Sequence, residues 1–190
     1  MVVLNVPEKS RLVPALAALA AAAPATAFAV DYLSAEQAAR LIFPEADRFE
    51  PADVTLDAAQ MRRLEQQSGV KARSARWPLQ AARKGAATLG WVVVDHVIGK
   101  FELIDYAVGL GVDGAVRQVE ILSYRESHGG EIRLPAWRRQ FAGKQPADAI
   151  ELGRDISSIS GATLSCRHVT EGVRRIVRLV ALLREDKVLR

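Results

Sequence analysis

Apolar positions along this chain follow two periods, and the change between them marks out the elements. Residues 90–98, GWVVVDHVI, form a β-branched run bounded by glycines and read as a strand. Residues 103–110 and 116–124 read as two more strands, with Val112, Asp113 and Gly114 supplying a Gly-containing hairpin turn between them. Three strands with such short connections predict an antiparallel sheet, because parallel neighbours need long crossovers. Further on, Val169, Val173, Ile176, Val177, Val180 and Leu183 recur at helical spacing. They predict a C-terminal amphipathic helix whose Arg174, Arg175 and Arg178 fall largely on other faces.

Polar punctuation adds the rest. Ser34 with Gln37 reads as a capping box, opening a helix that runs towards Phe43 and stops at Pro44. Asp57 with Gln60 repeats the device before a second helix through Gln67, with Gly69 just past its end. Residues 135–141 read as a short helix, with Pro135 in the first turn and Gly143 beyond it. Residues 70–89 are basic and show no clean period; they read as connecting or edge structure, with one strand around Arg76 and Trp77. The fold class expected is α+β, a twisted antiparallel sheet with helices before and after it.

The chain has 190 residues, 49% of them apolar and 25% charged, a balance that suits one globular domain with a core. Residues 1–29 stand apart. Lys9 and Arg11 precede an uncharged Ala/Leu-rich run over residues 12–23, and Ala27, Phe28 and Ala29 give a small-x-small cleavage pattern, so the segment reads as a cleaved secretory signal. As an uncleaved anchor the run falls short of the roughly 20 apolar residues of a comfortable span, and Pro24 interrupts it. The mature chain is thus expected in the periplasm. Two of the 26 basic and one of the 22 acidic residues go with the leader, so the formal charge drops from +4 to +3. That mild excess, in that compartment, argues against nucleic acid as a partner. Cys166 is the sole cysteine, which excludes an intrachain disulfide, and His96, His128 and His168 have no metal-ligand spacing. Redox chemistry here must come from a cofactor needing neither thiol pairs nor metal ligands.

The candidate chemistry lies in residues 155–165, DISSISGATLS, between sheet and last helix. The plain reading is a helix cap, with Ser160 or Thr163 satisfying an exposed N–H. The same place offers the free N–H groups and positive dipole end that favour a phosphate. Gly161 and Ala162 leave the backbone open to close approach, and Thr163 puts a hydroxyl there.

SGATLS ahead of a C-terminal helix resembles the FMN-binding domain family. That family includes the flavin-bearing periplasmic subunits of Rnf and sodium-pumping NADH:quinone reductase complexes, and domains of nitrous-oxide-reductase-type regulators. The resemblance runs over roughly residues 90–180. Ile98, Gly99 and Lys100 match the family's first hairpin. Tyr124, Arg125, Glu126 and Gly129 resemble its YRE-x-x-G segment, and Trp137, Gln140, Phe141, Gly143 and Lys144 its W-x-x-QF-x-GK segment. The resemblance implies a domain over 90–190, with 30–89 a helical and connecting part of the same domain. It implies FMN joined by a phosphoester to Thr163, donated from FAD by a magnesium-dependent flavin transferase. Cofactor contacts are implied at Ser160, Gly161, Ala162, Leu164 and Ser165, and at Glu126, Lys100 and Trp137. The plain alternatives for the last three are a surface ion pair and a core aromatic. Many members carry an aspartate six residues before the modified threonine, where this chain has Ser157; the nearest acid is Asp155. The function implied is electron transfer with a membrane-bound or periplasmic redox protein. Alternatives are a flavin-dependent reductase of a soluble substrate and a flavin-free sensory or structural module of the same fold.

Overall fold

A computed structural model describes residues 30–126 and 128–189; the leader expected over residues 1–29 lies outside the described residues. The first helix, α1 (Ala35–Ile42), opens with the expected reciprocal cap. Gln37 N donates to Ser34 Oγ, and Gln37 Oε1 accepts from Ser34 N. The second, α2 (Ala58–Ser68), is boxed by Asp57 and Gln60 and ends on Gly69 in the left-handed region. The short α3 (Pro135–Arg138) continues as a 3-10 turn (Arg139–Phe141), and α4 (Thr163–Glu185) closes the chain.

The strands are β1 (Val30–Asp31), β2 (Arg48–Pro51), β3 (Val54–Thr55), β4 (Arg76–Trp77), β5 (Leu79–Lys84), β6 (Ala87–Ile98), β7 (Leu103–Gly111) and β8 (Val116–Tyr124). Six of them form one antiparallel sheet in the order β1-β8-β7-β6-β5-β2, and β3 pairs with β4 in a two-stranded ribbon. The predicted central strands, the turn and the helices are all present.

Residues 70–89 depart from expectation. β5 lies inside the sheet, between β2 and β6, rather than at its edge. Its sequence, LQAARK, carries alanines, which are poor strand formers. Packing overrides that weakness, since Leu79 and Ala81 are buried in one cluster and Ala82 in the other.

Those two clusters explain why the central strands are apolar without alternation: both faces of the sheet are covered. On one face α1 lays Ala38, Ala39 and Ile42, with Phe43, over Ala82, Val92, Ala107 and Leu122. On the other, Val169, Val173, Ile176, Val180 and Leu183 of α4 pack with Val93, Val97, Tyr106, Val108 and Val119. Each large apolar side chain so buried contributes about 1.5–3 kcal/mol. A missing side-chain cap costs only about 1 kcal/mol. Its apolar stripe therefore holds α4 in place although no side chain caps it.

One arginine is not where the helical pattern put it. Arg175 is buried on the sheet side of α4, where its guanidinium pairs with Asp95, donates to Lys71 O at 2.8 Å and sits 5.5 Å from the Trp77 ring. Tyr106 Oη donates to the same carboxylate at 2.9 Å. The charge is tolerated there because β6 supplies its counter-ion.

Candidate functional site

The N-terminus of α4 is where sequence and fold converge. Ala162 N donates to Ile159 O at 3.0 Å, closing a four-residue turn whose third residue, Gly161, has φ +82°. A glycine accepts that left-handed conformation without strain. The turn delivers Thr163 as the first helical residue, exposed, while Ala162 behind it is buried. Neither Ser160 nor Thr163 acts as the N-cap, so the plain capping reading fails: Ala162 holds that position, with no side-chain bond. Among the described residues no acceptor meets the N–H of Thr163, Leu164 or Ser165, and the first turn carries no acid. Three aligned donors at the positive end of a 23-residue helix form a ready anion cradle.

Two other segments wall the space in front of it. The β6–β7 hairpin brings Lys100 and Phe101, and the segment after β8 brings Glu126 and His128. With residues 161–165 they enclose an open cavity of about 390 Å³. That lies within the roughly 300–1,000 Å³ of small-ligand sites. Lys100 Nζ stands 4.8 Å from the Phe101 ring centroid, and that ring is 74% exposed.

Each wall is fixed. Glu126 Oε1 accepts from Phe101 N at 2.6 Å and Glu102 N at 3.0 Å, so the carboxylate organises the hairpin turn rather than merely facing Lys100. Burial pushes the Glu126 pKa up. The N–H groups of Glu102, Phe101 and Lys100, with the Lys100 charge, outweigh that and leave it below the ordinary value. His168 Nδ1 lies 2.5 Å from Ile98 O and 3.1 Å from Gly99 O. A carbonyl only accepts, so that nitrogen carries the proton and ties α4 to the hairpin. Behind the site Tyr124 Oη donates to His128 O and lies 3.2 Å from Ser165 Oγ. Burial raises the Tyr124 pKa. A Cβ on Gly129 would fall 2.6 Å from Tyr124 Oη and 2.9 Å from Ala162 Cβ, so glycine permits this close approach.

The structure thus brings together Lys100, Glu126, Gly161, Ala162, Thr163, Leu164 and Ser165. Ser160 is exposed and lies outside the cavity lining. Trp137 also lies outside it: buried, edge-on to Phe141 at 5.2 Å, it donates Nε1–H to Ser157 O at 2.8 Å. Ser157 N in turn donates to Gln140 Oε1 at 2.8 Å, so the tryptophan and glutamine of one motif grip the segment leading to the other. Cys166 is buried, and burial raises its thiol pKa. Residue periodicity gives no hint of Phe101, His128 or His168 as part of this region. Their one signal is adjacency to segments already matched.

Residues 99–178 match the family model for the FMN-binding domain. The chain is similar to a subunit of the proton-translocating ferredoxin:NAD(+) oxidoreductase complex of Clostridium ljungdahlii, 32% identical over 108 residues, covering 53% of this chain and 58% of that protein. It is also similar to a subunit of the ion-translocating oxidoreductase complex of Vibrio atlanticus, 31% identical over 88 residues, covering 40% and 42%. The chain spans about half the length of the curated relatives it matches. Its fold is that of Shewanella oneidensis NqrC, with a TM-score of 0.53 at 16% identity over 76% of this chain and 88% of that one. The resemblance to the FMN-binding domain family therefore holds, and the matched segment contains Glu126, Trp137 and Thr163. Among the described residues no helix is long and apolar enough to cross a membrane.

Proposed function

We propose that the protein is an exported flavoprotein that carries FMN as a phosphoester on Thr163 and exchanges electrons with a membrane-bound or periplasmic redox protein. One observation carries the reading: an exposed threonine hydroxyl opens α4 beside three N–H groups with no acceptor, in the wall of a cavity of ligand size. A phosphate esterified to that hydroxyl would have its charge met by the helix end and by Lys100. The residues present fit the group. Phe101 and Leu164 offer apolar surface for a planar ring, and no acid in the first turn opposes the phosphate.

Attachment makes Thr163 Oγ1 the nucleophile. Its oxygen would bond to the FMN phosphorus of FAD as the bond to the AMP moiety breaks. AMP leaves, and the hydroxyl proton passes to a base of the magnesium-dependent transferase. The isoalloxazine supplies one- and two-electron redox chemistry once in place. The chain's own part is to tether, orient and neutralise: the hairpin held by Glu126 keeps Lys100 and Phe101 on one side, and α4 keeps the phosphate on the other. In this reading residues 30–89 and 90–190 act as one domain behind a cleaved leader over residues 1–29. The relatives from ion-translocating oxidoreductase complexes point to membrane redox complexes as the partners.

Ser157, at the position where the family resemblance implies an aspartate, favours a second reading: a module of the same fold without attached flavin. Intact mass and in-gel fluorescence after export alongside a flavin transferase decide between them. A gain of one FMN less water in wild type, absent from Thr163→Ala, is the result expected. Yellow colour lost on denaturation would overturn the covalent link, and a colourless protein would overturn the flavoprotein reading itself. A bound flavin that cannot be reduced and reoxidised reversibly would overturn the electron-transfer role.

A further inference from the structure

A second cavity, of about 260 Å³, opens between α4 and residues 150–152, and Arg167, Thr170, Glu171 and Arg174 form its helical wall. These positions lie four to eleven residues beyond Thr163, on the same side of the helix. At 1.5 Å per residue the cavity runs from about 6 Å to about 16 Å along the axis from the threonine. It is separate from the first cavity, and they share no lining residue.

Of the two arginines in this wall, Arg167 is exposed and Arg174 half-buried, and neither forms an ion pair among the described residues, unlike two more deeply buried arginines of the protein. Arg138 is paired with Glu120, and Arg175 with Asp95. The Arg174 guanidinium meets no acceptor among the described residues, and its Nε is buried. Arg178, one turn further, has its Nε buried without a partner too, and spends one N–H on Asp148 O at 3.1 Å. Burial, and then the charge of Arg174, lower the Arg178 pKa. Two like charges thus stand close enough to repel, in a partly dry place, with donors unmet. An unsatisfied buried donor is costly, more so when charged.

Of the carboxylates nearby, Asp148 offsets part of this by its charge on Arg178, and those of the cavity lining do not. Glu171 forms no ion pair within 4.0 Å among the described residues, and Glu151 approaches Arg154 instead, at 4.0 Å. Thr170 Oγ1 gives its proton to Cys166 O, so it offers the cavity no donor of its own. The opposite wall is held in place. Ile150 keeps φ +46°, its N–H bonded to Asp155 Oδ2, which also takes Lys144 Nζ at 2.9 Å. A fixed wall facing unpaired guanidinium groups is preorganised for an acceptor of fitting size.

We propose that this cavity binds a small oxyanion, a phosphate or carboxylate group, through Arg174 and Arg167, with Arg178 adding positive potential from one helical turn away. Guanidinium forks suit both anions, because two parallel N–H donors match two oxygens.

The test titrates inorganic phosphate, and separately succinate, into the full-length protein at constant ionic strength with chloride as the reference. Backbone amide shifts locate the site. Saturable changes at residues 150–152 and 167–174, absent with chloride, are expected with at least one of the two anions. Arg174→Gln should weaken binding at least tenfold, about 1.4 kcal/mol. Glu171→Gln should tighten it by removing the opposing charge, and that variant keeps the proposal testable should Arg174→Gln fail to fold. The inference is overturned if chloride produces the same shifts, if phosphate perturbs residues 161–165 alone and succinate nothing, or if Glu171→Gln leaves the affinity unchanged.

Discussion

The indole Nε1 of Trp137 donates to the carbonyl of Ser157 at 2.8 Å, and Gln140 Oε1, three residues on, accepts from the N–H of that same serine. Two side chains of a short helical turn therefore hold one residue of the approach to Thr163 from both sides. The tryptophan acts on the site through the backbone, without lining the cavity.

Replacing Trp137 by Phe should destabilise the fold by about 1–3 kcal/mol, from the lost hydrogen bond and the smaller ring. Chemical denaturation measures the loss. In flavin-loaded protein the absorption and fluorescence of the flavin should stay as in wild type. A rise in flavin fluorescence would instead place the indole against the ring.

Gly172 carries a different kind of constraint. A Cβ there would come within 2.0 Å of Tyr106 Oη, and Tyr106 is fully buried with its hydroxyl on Asp95. Overpacking of this kind costs about 1–3 kcal/mol, and more where the neighbour cannot move. Gly172→Ala should therefore lose about 3 kcal/mol or more in equilibrium unfolding. Adding Tyr106→Phe removes the clashing oxygen, and the double variant should be more stable than Gly172→Ala alone. Equal or lower stability would show that the hydroxyl is not the obstacle.

Much of this architecture is legible in residue order, and the reasons differ by element. Ser34 with Gln37 and Asp57 with Gln60 announce helix starts because capping is local chemistry. The strands around Val93, Val108 and Val119 are evident because sheet faces buried on both sides demand apolar runs. β5 is not evident, because Ala81 and Ala82 are strand residues only by virtue of what packs on them. The helical pattern misplaces Arg175 for a similar reason: its counter-ion Asp95 lies 80 residues away in sequence. At the site, Thr163 is marked by its motif. The carboxylate clamp of Glu126 on Phe101 and Glu102 requires a hairpin and a following strand to meet, which no local pattern states.

That clamp should make the hairpin sensitive to acid. The Glu126 pKa is held below its ordinary value, so the unfolded chain takes up a proton first as pH falls. The clamp's contribution is fully present above the unfolded pKa of about 4.3 and is lost as pH drops through the lower folded value. Protection of the Phe101 and Glu102 amides, taken relative to their intrinsic exchange rates at each pH, should fall in that window. Glu126→Gln should show low protection of these amides already at neutral pH, with little further change in protection in acid. Because Asp155 also has a lowered pKa, global acid unfolding mixes the two, and the local amides are the readout that separates them.

Ser157 stands six positions before Thr163. It is exposed, and its backbone is already bonded on both sides, so its side chain can change without disturbing the turn. Asp155 cannot serve in its place. Its carboxylate takes Lys144 Nζ at 2.9 Å, Ile150 N at 3.1 Å and Glu151 N at 2.7 Å, and moving it would release the loop. If a magnesium-dependent transferase reads a carboxylate near the acceptor threonine, this chain presents none that is free at that position. Ser157→Asp should then raise the initial rate of flavin attachment to Thr163 about tenfold, equivalent to roughly 1.4 kcal/mol on the barrier. Stability should stay within about 0.5 kcal/mol, as for other exposed substitutions. In-gel flavin fluorescence against time, with transferase and FAD in excess, gives the rate. An unchanged or slower rate would show that serine suffices there, and that recognition of the acceptor rests on the SGAT turn and the helix end alone.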